Sequence, residues 1–238
     1  MIITRGYGVD HGDAATHGCP ADVSALIGCA EDAGVPMAGT GVLINQYVTL
    51  ANIREDFRRA TDLFDGLPTG HLNLVFSSHG VQRPDRSADE PDGLDEGIVM
   101  ADKNVLWDDE LAVRIAELPR HVTVAMIVDA CHSGTAFRGQ AGKGWLSRMF
   151  GGRRTFVPFR NPLVCLSACR DAEYAGGLPD GGVWTKALAL AWNRGYGRST
   201  WDMWFSNTAP FVRVQHPKIT WINETPAFMS SKPWLGVQ

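Results

Sequence analysis

No apolar run in the 238 residues reaches the roughly 18 residues that a membrane-crossing helix needs. The N-terminal stretch Met1–Asp10 is interrupted by Arg5 and lacks the apolar core of a signal peptide. A soluble cytoplasmic protein with no membrane partner is the expectation. Basic residues are not in excess either: 22 Lys and Arg stand against 26 Asp and Glu, for a net charge of −4. Adjacent pairs occur at Arg58-Arg59 and Arg153-Arg154, a poor footprint for nucleic acid, which is set aside as a partner. A disulfide framework is missing too. The five cysteines, Cys19, Cys29, Cys131, Cys165 and Cys169, are odd in number and irregular in spacing, as expected of thiols kept reduced in cytosol. Cys165 and Cys169 have no second Cys or His pair to complete a zinc site, and alternation in a strand accounts for them. Repeats and low-complexity tracts are also absent.

What is present is an ordinary globular composition, 45% hydrophobic and 20% charged, at a length suited to one α/β domain. Met1–Val9 reads as a first strand and Asp22–Ala33 as a short helix. Thr49 can cap a helix whose Ile53, Phe57, Ala60 and Phe64 share one face, stopped by Gly66 and Pro68. His71–Ser78, His121–Asp129 and Asn161–Ala168 are short aliphatic runs of the kind that form buried parallel strands. Gly97–Ala101 adds a further strand, and Asp108–Leu118 and Gly182–Arg194 are helices. This alternation predicts an α/β fold with a mostly parallel sheet between helices. Residues 139–160, rich in Gly, Lys and Arg, read as an exposed loop. From Ser199 onward, four tryptophans among prolines suggest irregular, wrapped packing.

Polar clusters follow two of these strands: Ser77-Ser78-His79-Gly80 and Asp129-Ala130-Cys131-His132-Ser133-Gly134. In open α/β sheets, ligands sit beyond the carboxyl ends of the strands, so both clusters are placed where a site belongs. A thiol attacks a carbonyl as its thiolate, and an adjacent imidazole makes one near neutral pH. Cys131 is therefore the candidate nucleophile and His79 its base. Gly80 and Cys131 are the candidate amides for stabilising an oxyanion. A lone His at a strand end is usually a satisfied polar residue and a lone Cys usually core. Their joint occurrence after two separate strands, each with a glycine nearby, favours chemistry.

These residues resemble the metacaspases. Ser77-Ser78-His79-Gly80 is similar to their S-G-H-G, and Asp129 to Gly134 to their D-x-C-H-S-G. Leu26 to Ala33 resembles L-x-G-C-x-N-D-A with Glu31 for Asn, Leu166 to Ala172 resembles I-S-G-C-x-D-x, and Gln215-His216-Pro217 a late Q-x-P. The resemblance implies a caspase-like fold with a three-layer α/β/α arrangement in a single domain. A large-subunit-like part covers about 1–140 and a small-subunit-like part about 161–238. It implies a Cys-His dyad, a polypeptide substrate with Arg or Lys before the scissile bond, and a monomer. Asp129, Asp32, Ser77 and Cys29 would form the substrate pocket. An anionic pocket suits a guanidinium or ammonium group.

No cofactor is needed for the chemistry. The resemblance implies calcium as an activator, bound through Asp95, Asp108 and Asp109. Arg138, where the family commonly has an acid, opposes a cation there, and the helix dipole accounts for Asp108 and Asp109 without one. Ser78 replaces the glycine before the histidine, which matters only if that residue needs positive φ. An enzyme preferring basic residues would cut itself in the 139–160 loop, after Arg153 or Arg154. Two other readings stay open: a caspase-like scaffold that binds without cutting, and a cysteine hydrolase acting on a small amide or ester.

Overall fold

A computed structural model of the protein describes residues 1–84, 94–132, 160–168, 177–178, 180–212 and 216–237. In chain order the elements that matter here are β1 (Ile2–Gly8), α1 (Cys19–Asp32), β2 (Thr40–Ile44), α2 (Leu50–Phe64), β3 (Gly70–Pro84), β4 (Leu94–Val99), β5 (Val105–Trp107), α3 (Asp108–Glu117), β6 (Val122–His132) and β7 (Leu163–Ser167). They are followed by the two-residue strands β8 (Gly177–Leu178) and β9 (Gly181–Gly182), then α4 (Val183–Asn193), α5 (Trp201–Thr208), β10 (Lys218–Ile222) and α6 (Pro226–Met229). The main sheet runs β10-β7-β6-β3-β1-β2. The pairs β1–β2, β1–β3, β3–β6 and β6–β7 are parallel, and β10 closes one edge antiparallel to β7.

The period of two in the central strands sorts their side chains onto two cores. Leu72, Leu74 and Phe76 of β3, with Val124, Met126 and Val128 of β6, pack under Ile53 and Phe57 of α2 and Leu111 and Ile115 of α3. Val75, Ala125 and Ile127, with Val164 and Leu166 of β7, pack on the other face against Val23, Leu26 and Ile27 of α1, Trp184 and Leu188 of α4, and the Trp201 and Trp204 rings. Strands buried on both faces read in sequence as continuous apolar runs. The result is the three-layer arrangement expected. Thr49 caps α2, its hydroxyl accepting from the Asn52 amide at 3.2 Å, and Ile53, Phe57, Ala60 and Phe64 form the buried face.

Two expectations change. The chain after Ser199 is more regular than its prolines suggest: Trp201 and Trp204 lie on α5, and Trp221 lies in β10. Trp201, Trp204 and Trp234 form a buried cluster with ring centroids 5.6–5.9 Å apart. Large aromatic surface drives that packing whatever the local propensity. The second change concerns the polar clusters, whose described residues do not lie in turns beyond the strands. β3 continues to Pro84 because β4 pairs antiparallel with its last residues, and β6 continues through His132. Ser77, Ser78, His79, Asp129 and Cys131 are thus all strand residues.

Candidate active site

A helix N-terminus comes unusually close to the sheet at β1. A Cβ at Gly6 would lie 2.5 Å from the Val23 side chain, and one at Gly8 would lie 2.8 Å from the Cys19 carbonyl. The missing side chains let the first turn of α1 settle on β1, and Gly8 is paired with Ser77 of β3. That contact brings Asp22 to the Ser77 hydroxyl, which donates to its Oδ2 at 2.9 Å. The Gly182 amide donates to Asp22 Oδ1 at 2.7 Å. On β6, opposite Ser77 in the register, Asp129 accepts at Oδ2 from the Thr185 amide (3.2 Å) and hydroxyl (2.7 Å). Gly182 is required here, since a Cβ would collide with Asp129 Oδ2. Gly181, at φ +130°, presses likewise on Asp22.

Asp22 and Asp129 are 3% and 5% exposed, so the chain holds two carboxylates side by side out of water. Burial first, and the Asp129 charge second, push Asp22 up to about 7. Burial also raises Asp129, against the Thr185 hydrogen bonds. Among the described residues neither carboxylate forms an ion pair: the cation that acts on Asp22, Lys186, is paired with Asp180, and a guanidinium or ammonium group beside the two would offset their repulsion.

Two residues further along each strand, His79 and Cys131 are register partners, on strands about 4.8 Å apart. The His79 ring stacks on His11 with centroids 5.1 Å apart, and its Nε2 is 2.6 Å from Asp13 Oδ2. Its Nδ1 is buried and has no hydrogen-bond partner among the described residues. The Asp13 carboxyl is pulled down to about 2, chiefly by its hydrogen bond with His79. Ser78 has no positive φ, so its Cβ costs nothing. Its hydroxyl donates to the Val99 carbonyl at 2.6 Å and meets His11 Nε2 at 3.0 Å. Gly80 sits in the paired part of β3, opposite Ile98 on β4 and His132 on β6.

The structure does not bring Asp32 and Cys29 to this group. Asp32 ends α1, ten residues or about 15 Å of helix from Asp22, where it accepts from Trp192 Nε1 and pairs with Arg198, both at 2.9 Å. Cys29 is a core thiol packed with Leu26 and Ile27, and burial pushes it up to about 12. The carboxylate that α1 places beside Asp129 is Asp22. The signal for it was in the sequence, because Gly-Cys-x-x-Asp occurs twice, at Gly18 to Asp22 and at Gly28 to Asp32. Only the first stands at the helix end that meets Ser77. Asp32→Ala is accordingly expected to leave cleavage kinetics unchanged while lowering stability by about 0.5–1.5 kcal/mol through the lost Trp192 hydrogen bond. Peptide kinetics and a thermal melt of the same sample check both parts.

The acidic residues proposed for calcium are already engaged. Asp95, 1% exposed, pairs with Arg83 Nε at 2.7 Å, and that guanidinium lies over the Trp107 ring. Asp108 accepts from the amides of Glu96 and Asp109, and burial pushes it up to about 7. Among the described residues no group of three or more His, Cys, Asp and Glu could hold a metal. These residues do not fit a calcium ion, which wants six to eight oxygens. Arg138, Arg153, Arg154, Ser133 to Gly134, Cys169 to Ala172 and Gln215 lie outside the described residues. Within them, no helix is long and apolar enough to cross a membrane.

A covered, mostly parallel sheet with a Cys-His register pair and a buried carboxylate pair beside it is a caspase-like α/β arrangement. Residues 40–139 match the family model for the metacaspase, peptidase C14 domain. Metacaspase-4 of Arabidopsis thaliana is 32% identical over 129 residues, which cover 51% of this chain and 30% of that protein. Metacaspase-1B of Aspergillus fumigatus is 41% identical over 76 residues, 30% of this chain and 19% of that protein. The chain thus spans less than a third of the length of these relatives. The crystal structure of protein GSU0716 from Geobacter sulfurreducens superposes with a TM-score of 0.76 at 22% identity, over 99% of both chains, and shares the fold. Over residues 40–139 the chain thus resembles the metacaspase peptidase C14 domain, and its fold is caspase-like.

Proposed function

We propose that the protein is a cysteine endopeptidase that hydrolyses peptide bonds after Arg or Lys, with Cys131 and His79 as its dyad. The observation that carries this reading is the register pairing of His79 with Cys131, next to the buried carboxylate pair of Asp22 and Asp129. The Arg or Lys side chain of the substrate enters between Asp22 and Asp129, beside Ser77, and its carbonyl comes to lie at Cys131. His79 Nδ1 takes the thiol proton, and the thiolate adds to the carbonyl carbon. Backbone amides at Gly80 and Cys131 are the donors proposed for the oxyanion. His79 then passes its proton to the departing amine, leaving an acyl-enzyme. Water, deprotonated by the same imidazole, hydrolyses the thioester and restores the thiol. Calcium has no step in this scheme, since Arg83 already supplies the cation at Asp95.

The test is a panel of fluorogenic peptides that differ only in the residue before the scissile bond. Arg and Lys are expected to be cleaved, and Asp and Ala to be left intact. Equal turnover of a simple thioester or amide, with no dependence on a basic side chain, would instead identify a small-molecule hydrolase. Binding of basic peptides without turnover would identify a scaffold.

A further inference from the structure

We propose that Asp13 is a positioning residue for His79, making the site a Cys131–His79–Asp13 relay in place of a bare dyad; this rests on the peptidase reading. The segment carrying Asp13 is built to hold one carboxylate oxygen still and aim the other. Asp13 Oδ1 accepts from the Ala15 amide at 3.1 Å, the Thr16 amide at 3.0 Å and the Thr16 hydroxyl at 3.0 Å. The Thr16 hydroxyl in turn accepts from the His11 amide at 2.9 Å. With Oδ1 fully engaged, Oδ2 is left to accept from His79 Nε2 at 2.6 Å.

A carboxylate at that distance requires the proton on Nε2, so Nδ1 carries the lone pair. Nδ1 is the atom that is buried without a hydrogen-bond partner among the described residues, on the residue paired in register with Cys131. Asp13 therefore selects the tautomer that can accept the thiol proton, and its charge balances the imidazolium once the proton has moved. His11 limits ring rotation by stacking on the outer face. Its own orientation follows from Ser78, whose single proton goes to the Val99 carbonyl, so that His11 Nε2–H donates to the Ser78 oxygen.

The order of two substitutions separates this role from a structural one. In Asp13→Asn the amide oxygen must take the Oδ1 place, because an NH2 group there would face two amide N–H donors and a hydroxyl. The NH2 group then points at Nε2 and can donate only if the ring proton moves to Nδ1, the wrong atom for a base. In Asp13→Ala the ring is free to adopt either tautomer. Asp13→Asn is thus expected to be the more damaging of the two, although it keeps the turn intact; a merely structural residue would give the reverse order.

For Asp13→Asn, kcat is expected to fall by about 10²–10⁴-fold, the usual worth of a positioned acid–base group, with KM unchanged. A second readout needs no activity. Long-range 15N–1H NMR of the full chain at alkaline pH, with the His79 signals identified by their loss in His79→Gln, is expected to show Nε2–H in the wild type and Nδ1–H in Asp13→Asn. An Nδ1–H wild type, or Asp13→Asn with wild-type kcat, overturns the proposal. Wild-type protein inactive on every basic peptide defeats the peptidase reading, while the NMR result still decides whether Asp13 sets the tautomer.

Discussion

Cys131→Ala and His79→Ala are each expected to abolish cleavage of basic peptides while the thermal midpoint stays near that of the wild type. The first removes the sulfur proposed to form the acyl bond, and the second removes its proposed base; losses of about 10³-fold or more are usual when members of such a unit are deleted singly. Stability should be spared because β6 is held by its pairing with β3 and β7, and by the apolar residues Val122 to Val128, none of which these substitutions touch. His79 lies at the rim, its side chain 20% exposed, with contacts to Asp13 and His11 that do not extend into either core. The check is kcat/KM on an arginyl fluorogenic peptide beside a melt of the same preparation. Activity above about 1% in either variant is incompatible with the roles assigned here. Equal activity loss accompanied by a large drop in melting temperature would assign the residues to the fold.

Asp22→Asn and Asp129→Asn are expected to move activity and stability in opposite directions. Each removes one charge from the pocket proposed for the substrate cation, and a hydrogen bond to a charged group is worth about 1.5–3 kcal/mol, so kcat/KM on arginyl peptides should fall by roughly 10–150-fold. The folded protein should gain, because the neutral amide no longer has to face a second buried carboxylate. The sign follows from Asp22, whose carboxyl is raised to about 7. Between the ordinary carboxylate range and about 7, the folded chain holds a proton that the unfolded chain has lost. Stability therefore declines as pH rises through that window, and the penalty is complete above it. Melting curves across this range should show the decline in the wild type and a smaller one in Asp22→Asn. Binding of a basic substrate expels the proton, so wild-type kcat/KM should climb as pH rises toward and through about 7. A flat wild-type melting profile, or asparagine variants with unchanged kinetics, would remove Asp22 and Asp129 from the pocket.

Most of the framework could be read directly from residue order. Aliphatic runs such as His71–Ser78 and Asn161–Ala168 have no choice but to be covered strands, and the face formed by Ile53, Phe57, Ala60 and Phe64 can only be a helix packed on a sheet. The two polar clusters were visible for the same reason, since hydrophilic residues interrupt those runs abruptly. The α5 helix was less legible, because proline-rich surroundings outweigh a short helical pattern when no partner surface is known. Its stability comes from Trp184, Trp192 and Trp234, which arrive from other parts of the chain.

The candidate nucleophile, its candidate base and the Asp129 carboxylate were thus legible in the sequence alone, because each belongs to a local pattern inside a strand whose identity burial dictates. Which Gly-Cys-x-x-Asp segment supplies the second carboxylate was decided only by tertiary structure. Both segments lie on one helix and look alike in sequence. The difference is that Gly6 and Gly8 let one end of that helix approach the sheet at Ser77, whereas the other end meets Trp192 and Arg198. Asp13 was hidden for a similar reason. It is separated from His79 by 66 positions, and only the folding of its turn onto the end of β3 makes a carboxylate in a polar N-terminal loop the partner of an imidazole.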